Sequence, residues 1–230
     1  MKLMKGFLLW FAILIPVTIY GVENANVPAE ASTVTSFPDE PENMPELTPG
    51  TSLRAGLSAG YQLPFGDIAG IIGGGISVSA NADYALVFPF LANIPFVIRA
   101  GGYVGLQMHS GETRSFNASL LLIPVIAEVI AEYPIAMQGI LLPFVATGGG
   151  VTYTSLTREY SALARSQISS LPASESESAM NGTFSFATGV RYLPQSFHKV
   201  QFKAEIRSQL IFEQSSFLFL NLSAGAEYLF

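Results

Sequence analysis

The chain has 230 residues, 50% of them hydrophobic, and no cysteine; its 17 acidic and 11 basic side chains leave a net charge of −6. The lack of cysteine excludes disulfides, thiol catalysis and lipidation of an amino-terminal Cys. The lack of a basic surplus argues against nucleic acid as a partner.

Lys2 and Lys5 precede an uncharged stretch, Gly6 to Tyr20, and small or polar residues follow within Gly21 to Ala25. A charged start, a short apolar centre and a small-residue exit predict a secretory signal peptide over 1–25, cut after Gly21 or Ala25. Neither position follows a clean small-x-small pattern, and an uncleaved anchor helix is the competing reading, although the stretch is short for one. Residues 26–50 hold five prolines and five acidic side chains with no basic one, a mixture that cannot bury enough apolar surface to fold. They are expected to form a disordered acidic periplasmic arm. From Thr51 to Phe230 the charges nearly balance, at eleven acidic and nine basic.

This 180-residue part reads as eight strands, because apolar residues recur at every second position. The first, Ser52 to Gln62, sets Leu53, Ala55, Leu57, Ala59 and Tyr61 against Arg54, Gly56, Ser58, Gly60 and Gln62. The second, Ile76 to Phe88, alternates most cleanly, and the third runs from about Phe96 to His109 with Arg99, Gly101, Tyr103, Gly105 and Gln107 inward. In the fourth, Phe116, Ala118, Leu120 and Leu122 are apolar at even positions, whereas beyond Pro124 the even positions carry Glu128 and Glu132. A change of parity at a proline predicts a β-bulge there. A buried helix over Ser119 to Ala131 is disfavoured by Pro124 and the β-branched residues. The fifth, Leu141 to Thr154, contains Gly148, Gly149 and Gly150; no Lys or helix start follows the triplet, so wall bending is expected rather than a phosphate cradle. The sixth is Thr183 to Tyr192, the seventh Val200 to Glu213, and the eighth Phe217 to Phe230.

An apolar outside, a polar inside and an even strand number predict an all-β fold, an eight-stranded antiparallel up-and-down transmembrane barrel over 51–230. Short Pro- and Asn-rich linkers, near Pro89 to Pro95, Pro134 to Ile140 and Leu193 to Lys199, fall on the side of both chain ends. Leu63 to Gly75 and Ser155 to Gly182 are the longer loops on the other side. By this register the inward charges are Arg54, Asp83, Arg99, Glu128, Glu132, Arg191, Lys203, Glu205, Arg207 and Glu227, five of each sign. Equal numbers predict a neutralised network of ion pairs. A barrel this small has room for its side chains and little else, so a plugged interior is the base expectation. The functional alternative is a gate, in which the stacked Lys203, Glu205 and Arg207 exchange partners to open a narrow path.

The carboxy-terminal strand, with Tyr228 two residues before a final Phe230, resembles that of bacterial outer-membrane barrels. The resemblance implies that Tyr228 and Phe230 are read by the barrel assembly machinery, with periplasmic chaperones and outer-membrane lipids as further partners. The region 51–230 resembles the eight-stranded OmpA, OmpX and OmpW group as a whole. Locally, LLPFVATGGGVTYTSL (Leu141 to Leu156), NGTFSFATGVRYLP and FKAEIR are most similar to OmpW-like proteins. That group implies the bacterial outer membrane and includes proteins proposed to pass small hydrophobic compounds. The one tryptophan, Trp10, lies in the signal segment, so a Trp-lined tunnel is not carried over.

Two other function classes remain. The serine-rich loop 155–182 carries Arg158, Glu159, Arg165, Glu175 and Glu177, with Tyr160, Leu163, Ala164 and Ile168 spaced for one face of a short helix, and is a candidate for adhesion or binding of an extracellular ligand. A lipid-modifying enzyme is the remote alternative: His109 and Ser110, with Glu112 nearby, sit on adjacent strand positions that point to opposite faces, poor geometry for a nucleophile and its base. His109 and His198 are too far apart in sequence to give a metal-ligand spacing, and no cofactor is expected.

Overall fold

The computed structural model describes residues 53–86, 96–137, 139–168, 170–197, 199–213 and 216–230; the signal segment and arm expected over 1–50 lie outside them. The described residues form nine strands: β1 Leu53–Phe65, β2 Gly75–Leu86, β3 Val97–Glu112, β4 Phe116–Glu132, β5 Ile135–Met137, β6 Gly139–Tyr160, β7 Ser174–Pro194, β8 Val200–Phe212 and β9 Phe217–Leu229. β5 is a three-residue piece that pairs only with the start of β6, Ile135 opposite Leu141. The other eight form one antiparallel wall in sequence order, with β4 paired directly to β6 and β1 closing on β9. Closure leaves the wall no edge and satisfies the backbone polar groups within it, the condition for spanning a bilayer with strands.

Burial inverts the pattern of a soluble protein. In β2 the inward Ser77, Ser79, Asn81 and Asp83 are buried while Ile76, Val78 and Tyr84 are exposed. Asp83 keeps 2% of its surface and Leu57 67%. Water offers no reason to build a wall this way; hydrocarbon does, and the fold is the transmembrane barrel of outer-membrane proteins. Exposed aromatics collect toward both ends of the wall. Tyr84, Phe96, Tyr133, Tyr192, Phe202 and Tyr228 ring the end where Leu53 and Phe230 lie, and Tyr61 and Phe212 stand at the loop end. Lys199 Nζ sits 5.9 Å from the centroid of the Tyr228 ring, the pairing of amphipathic ring and snorkelling cation expected at a membrane surface.

Two expectations from sequence need correction. β4 has no bulge: its register with β3 is the same on both sides of Pro124, Val104 opposite Val125 and Gln107 opposite Leu122, and its register with β6 is unbroken. Only the pairings of Gly105 and Leu106 drop out of the ladder, opposite the proline that has no N–H to give. Even residues of β4 face inward throughout, so Leu120 and Leu122 are interior residues, and the apparent change of parity is a change in the polarity of the interior.

The second correction concerns the loop 155–182, most of which is strand. β6 and β7 stay in register out to Glu159 opposite Ser174, leaving 161–173 as the connection, with a short helix at Ala162–Gln167 whose cap Ser161 accepts from the Ala164 N–H. Strand periodicity was hidden because both faces of this extension meet water and carry Ser, Thr and Glu. The helix excludes Tyr160, which ends β6, and leaves Leu163 and Ile168 exposed. β8 follows β7 only as far as Gly182 opposite Phe212. The barrel therefore has a tall side, β3, β4, β6 and β7, standing over a low rim at β1, β2, β8 and β9.

Val104 faces outward in the middle row of the wall, between Ala80 and Val125. Val104→Arg is expected to lower the refolding free energy in lipid vesicles by about 2–4 kcal/mol, the cost of a cation near the bilayer centre. A denaturant titration that leaves the midpoint unchanged would refute a lipid-facing wall.

Candidate functional site

The interior is filled by three stacked layers. All ten charges expected inside are buried there, and they form one continuous network. Toward the terminal end, Arg54 donates to Asp83 at 2.8 Å and to both oxygens of Glu132 at 2.7 and 3.1 Å. Arg99 shares Asp83, and Arg191 joins Glu132 to Glu227, the latter at 2.9 Å. Lys203 Nζ lies 3.5 Å from Glu227 and 3.5 Å from Glu205. Arg207 then ties Glu205 at 2.7 Å to Glu128 at 2.8 Å. Neutral side chains complete the shell: Asn81 donates to Glu227 and accepts from Lys203, Gln201 donates to Glu227, and Ser185 accepts from Arg207. Two guanidiniums also stack on rings, Arg191 over Phe144 at 4.2 Å and Arg207 over Tyr103 at 4.1 Å.

Strand alternation delivers these side chains and glycine makes room for them. A Cβ on Gly56 would sit 2.4 Å from Glu227 Cγ, and one on Gly101 2.7 Å from Asp83 Cβ. The triplet in β6 works similarly: Cβ atoms on Gly148 and Gly150 would meet β4 carbonyl oxygens at 2.2 and 2.0 Å, so these glycines permit close approach of the two strands and not a phosphate cradle.

Above the charges lies an uncharged polar layer. Gln62 and Gln107 both donate to Gln209 Oε1, at 3.1 and 2.8 Å. His109 Nε2 lies 2.7 Å from Gln62 Oε1 and its Nδ1 3.2 Å from the Gly73 carbonyl, with the ring against Phe219. Ser110 is exposed on the opposite face, so these two residues form no nucleophile–base pair. Among the described residues no group of three or more His, Asp or Glu is placed to hold a metal ion; the interior carboxylates face guanidinium and ammonium instead.

The third layer is apolar and seals the loop end. After β1, Gly66 takes φ 83° and starts a turn of 3-10 helix, Asp67–Gly70, that drops Ile68 and Ile72 into the mouth. They pack with Ala118, Leu120, Leu122, Ile211 and Phe219. The Gly73 N–H, donating to Ser110 O at 3.0 Å, fastens this loop to β3. Sequence reasoning missed the stopper, although two isoleucines four apart in a glycine-rich loop were a signal for it.

Over the stopper, the inner face of the tall wall forms a cleft of about 460 Å³ bordered by Arg158, Glu177 and Glu213. Arg158 lies 3.7 Å from Glu177 and 4.0 Å from Glu175, and Tyr160 donates to Glu175 at 2.9 Å. That hydrogen bond to a carboxylate holds the Tyr160 phenol above its ordinary range. At the opposite end, Tyr228 and Phe230 are both exposed on the outer wall with ring centroids 5.0 Å apart.

Neither a family model nor a curated protein sequence matches the chain. Among solved structures it is similar to Neisserial surface protein A, at 15% identity over 78% of this chain and 97% of that one, with a TM-score of 0.46. It is similar also to Ail, the attachment invasion locus protein of Yersinia pestis, at 11% identity over 79% and 99% of the two chains, TM-score 0.47. A third is the N-terminal β-barrel domain of Pseudomonas aeruginosa OprF, at 13% identity over 79% and 98%, TM-score 0.39. The assignment as an eight-stranded barrel of the outer-membrane type stands on the chain's own closed ladder and inverted burial.

Glu132 is held by Arg54 and Arg191 with almost no solvent. Glu132→Ala is expected to cost about 3–5 kcal/mol in an equilibrium unfolding titration, because two guanidiniums lose their shared partner. Arg158→Ala, which removes a solvent-exposed pair, is expected to cost less than about 1 kcal/mol.

Proposed function

We propose that the protein is an integral outer-membrane barrel with a closed interior, serving as a structural scaffold whose working surface is the loop-end mouth under the β6–β7 hairpin. The observation that carries this reading is the stacking of a charge network, a glutamine–histidine layer and an apolar stopper across one narrow interior. An eight-stranded wall leaves a lumen that side chains fill, and here each layer is filled by residues from several strands. Passage of a hydrophobic compound, which the OmpW-like resemblance brings to mind, would have to cross the charged layer.

One observation favours a second reading. Lys203 sits equally far from Glu205 and Glu227, at 3.5 Å from each. A gate would work by moving this ammonium from one carboxylate to the other.

Planar-bilayer recording of the refolded chain separates the two. The scaffold reading expects no discrete openings from the wild type or from Lys203→Ala and Glu205→Ala. Steps of conductance whose size or frequency changes in those variants would overturn it in favour of the gate.

A further inference from the structure

The cleft above the stopper has the volume of a small-molecule site and two kinds of lining. Its floor and back are apolar, built by Ile68 of the β1–β2 loop, Leu120 and Leu122 of β4, Leu156 of β6, and Phe217 and Phe219 of β9. Its rim is charged and unbalanced. Arg158 is already shared by Glu177 and Glu175, whereas Glu213, exposed one residue past β8, has no ion pair or hydrogen bond among the described residues. An apolar floor beneath surplus carboxylate recognises a particular chemistry.

We propose that this cleft binds a small amphipathic organic cation, its apolar body laid on Leu120, Leu156 and Phe217 and its cationic head beside Glu213. The half-buried Phe217 adds a second attraction for such a head, since ring faces are negative. A neutral apolar solute would leave the Glu213 carboxylate partly desolvated and unpaired, and an anion would meet two carboxylates for one committed guanidinium. The tall wall explains why the site lies here: β4, β6 and β7 rise far enough to give the mouth a back, whereas β8 ends at Phe212, next to Glu213. The proposal rests on the mouth being the working surface, but binding and conductance fail separately. A silent barrel that binds nothing overturns the site alone, and a conducting barrel overturns the closed interior alone.

The test uses the full chain refolded in nanodiscs of zwitterionic lipid, with empty nanodiscs to subtract partitioning into the bilayer. Three probes of one shape are titrated by NMR: benzyltrimethylammonium, its neutral isostere neopentylbenzene, and phenylmethanesulfonate. Saturable, protein-dependent binding of the cation, roughly tenfold tighter than either of the others, is expected. Glu213→Gln should weaken it by about fivefold to tenfold, and Leu156→Ser should weaken it as well. Glu159→Gln, on the outer face of β6, should leave it unchanged. Equal binding of the neutral isostere, indifference to Glu213→Gln, or no saturable binding of the cation would each overturn the proposal.

Discussion

The rest of the structure depends on the narrowness of an eight-stranded circumference. Every residue that alternation turns away from lipid must share one column of space with its counterparts from seven other strands, and little water can dilute what collects there. Charges in such a column are tolerated only if they neutralise one another and their hydrogen-bonding capacity is met. Five cations and five anions in one connected network satisfy that condition, and Asn81, Gln201 and Ser185 take up donors and acceptors that the ion pairs leave over. Glu227 illustrates the arrangement: it lies on the last strand in sequence and receives Arg191, Asn81 and Gln201, tying β9 to β2, β7 and β8.

The same narrowness explains the layering. Charge occupies the half near Leu53 and Phe230, where β1, β2, β3, β4, β7, β8 and β9 all contribute to it. At the other end the wall is uneven, because β8 and β9 stop while β6 and β7 continue, and a charged layer there would lack half of its surrounding strands. Apolar side chains need no directed partners, so a loop that turns inward at Gly66 can seal an irregular opening with Ile68 and Ile72. His109 stands at the junction, one ring nitrogen facing the loop carbonyl of Gly73 and the other the glutamine layer.

Most of the wall was legible in the sequence, for a physical reason: a lipid-facing strand with a polar lumen writes period two in its plainest form, as in Ile76 to Leu86. The interior charges followed from the same register. What alternation could not convey was the polarity of the lumen at each height. Leu120 and Leu122 look outward to a reader who assumes a polar interior from end to end, and the imagined bulge at Pro124 followed from that assumption. The β6–β7 extension failed for the opposite reason, since Arg158 to Tyr160 and Ser174 to Ser178 face water on both sides and carry no apolar signature, although their backbones pair without interruption. Mutual approach of side chains distant in sequence, such as Glu177, Glu213 and Phe219 around one cleft, has no local signature at all.

These layers also bear on whether a ligand at the mouth could open the barrel. A ligand shifts an equilibrium only by the difference between its affinities for the two states. Micromolar binding supplies about 8 kcal/mol in total, most of it realised with the barrel closed. Opening a path along the lumen would separate several buried ion pairs, and leaving even one charge unpartnered costs roughly 3–5 kcal/mol. The cleft touches none of those charges, because the stopper and the Gln62, Gln107 and Gln209 layer lie between. Occupying the mouth therefore makes no contact that would favour an open network over the closed one, and binding there is compatible with a barrel that stays shut.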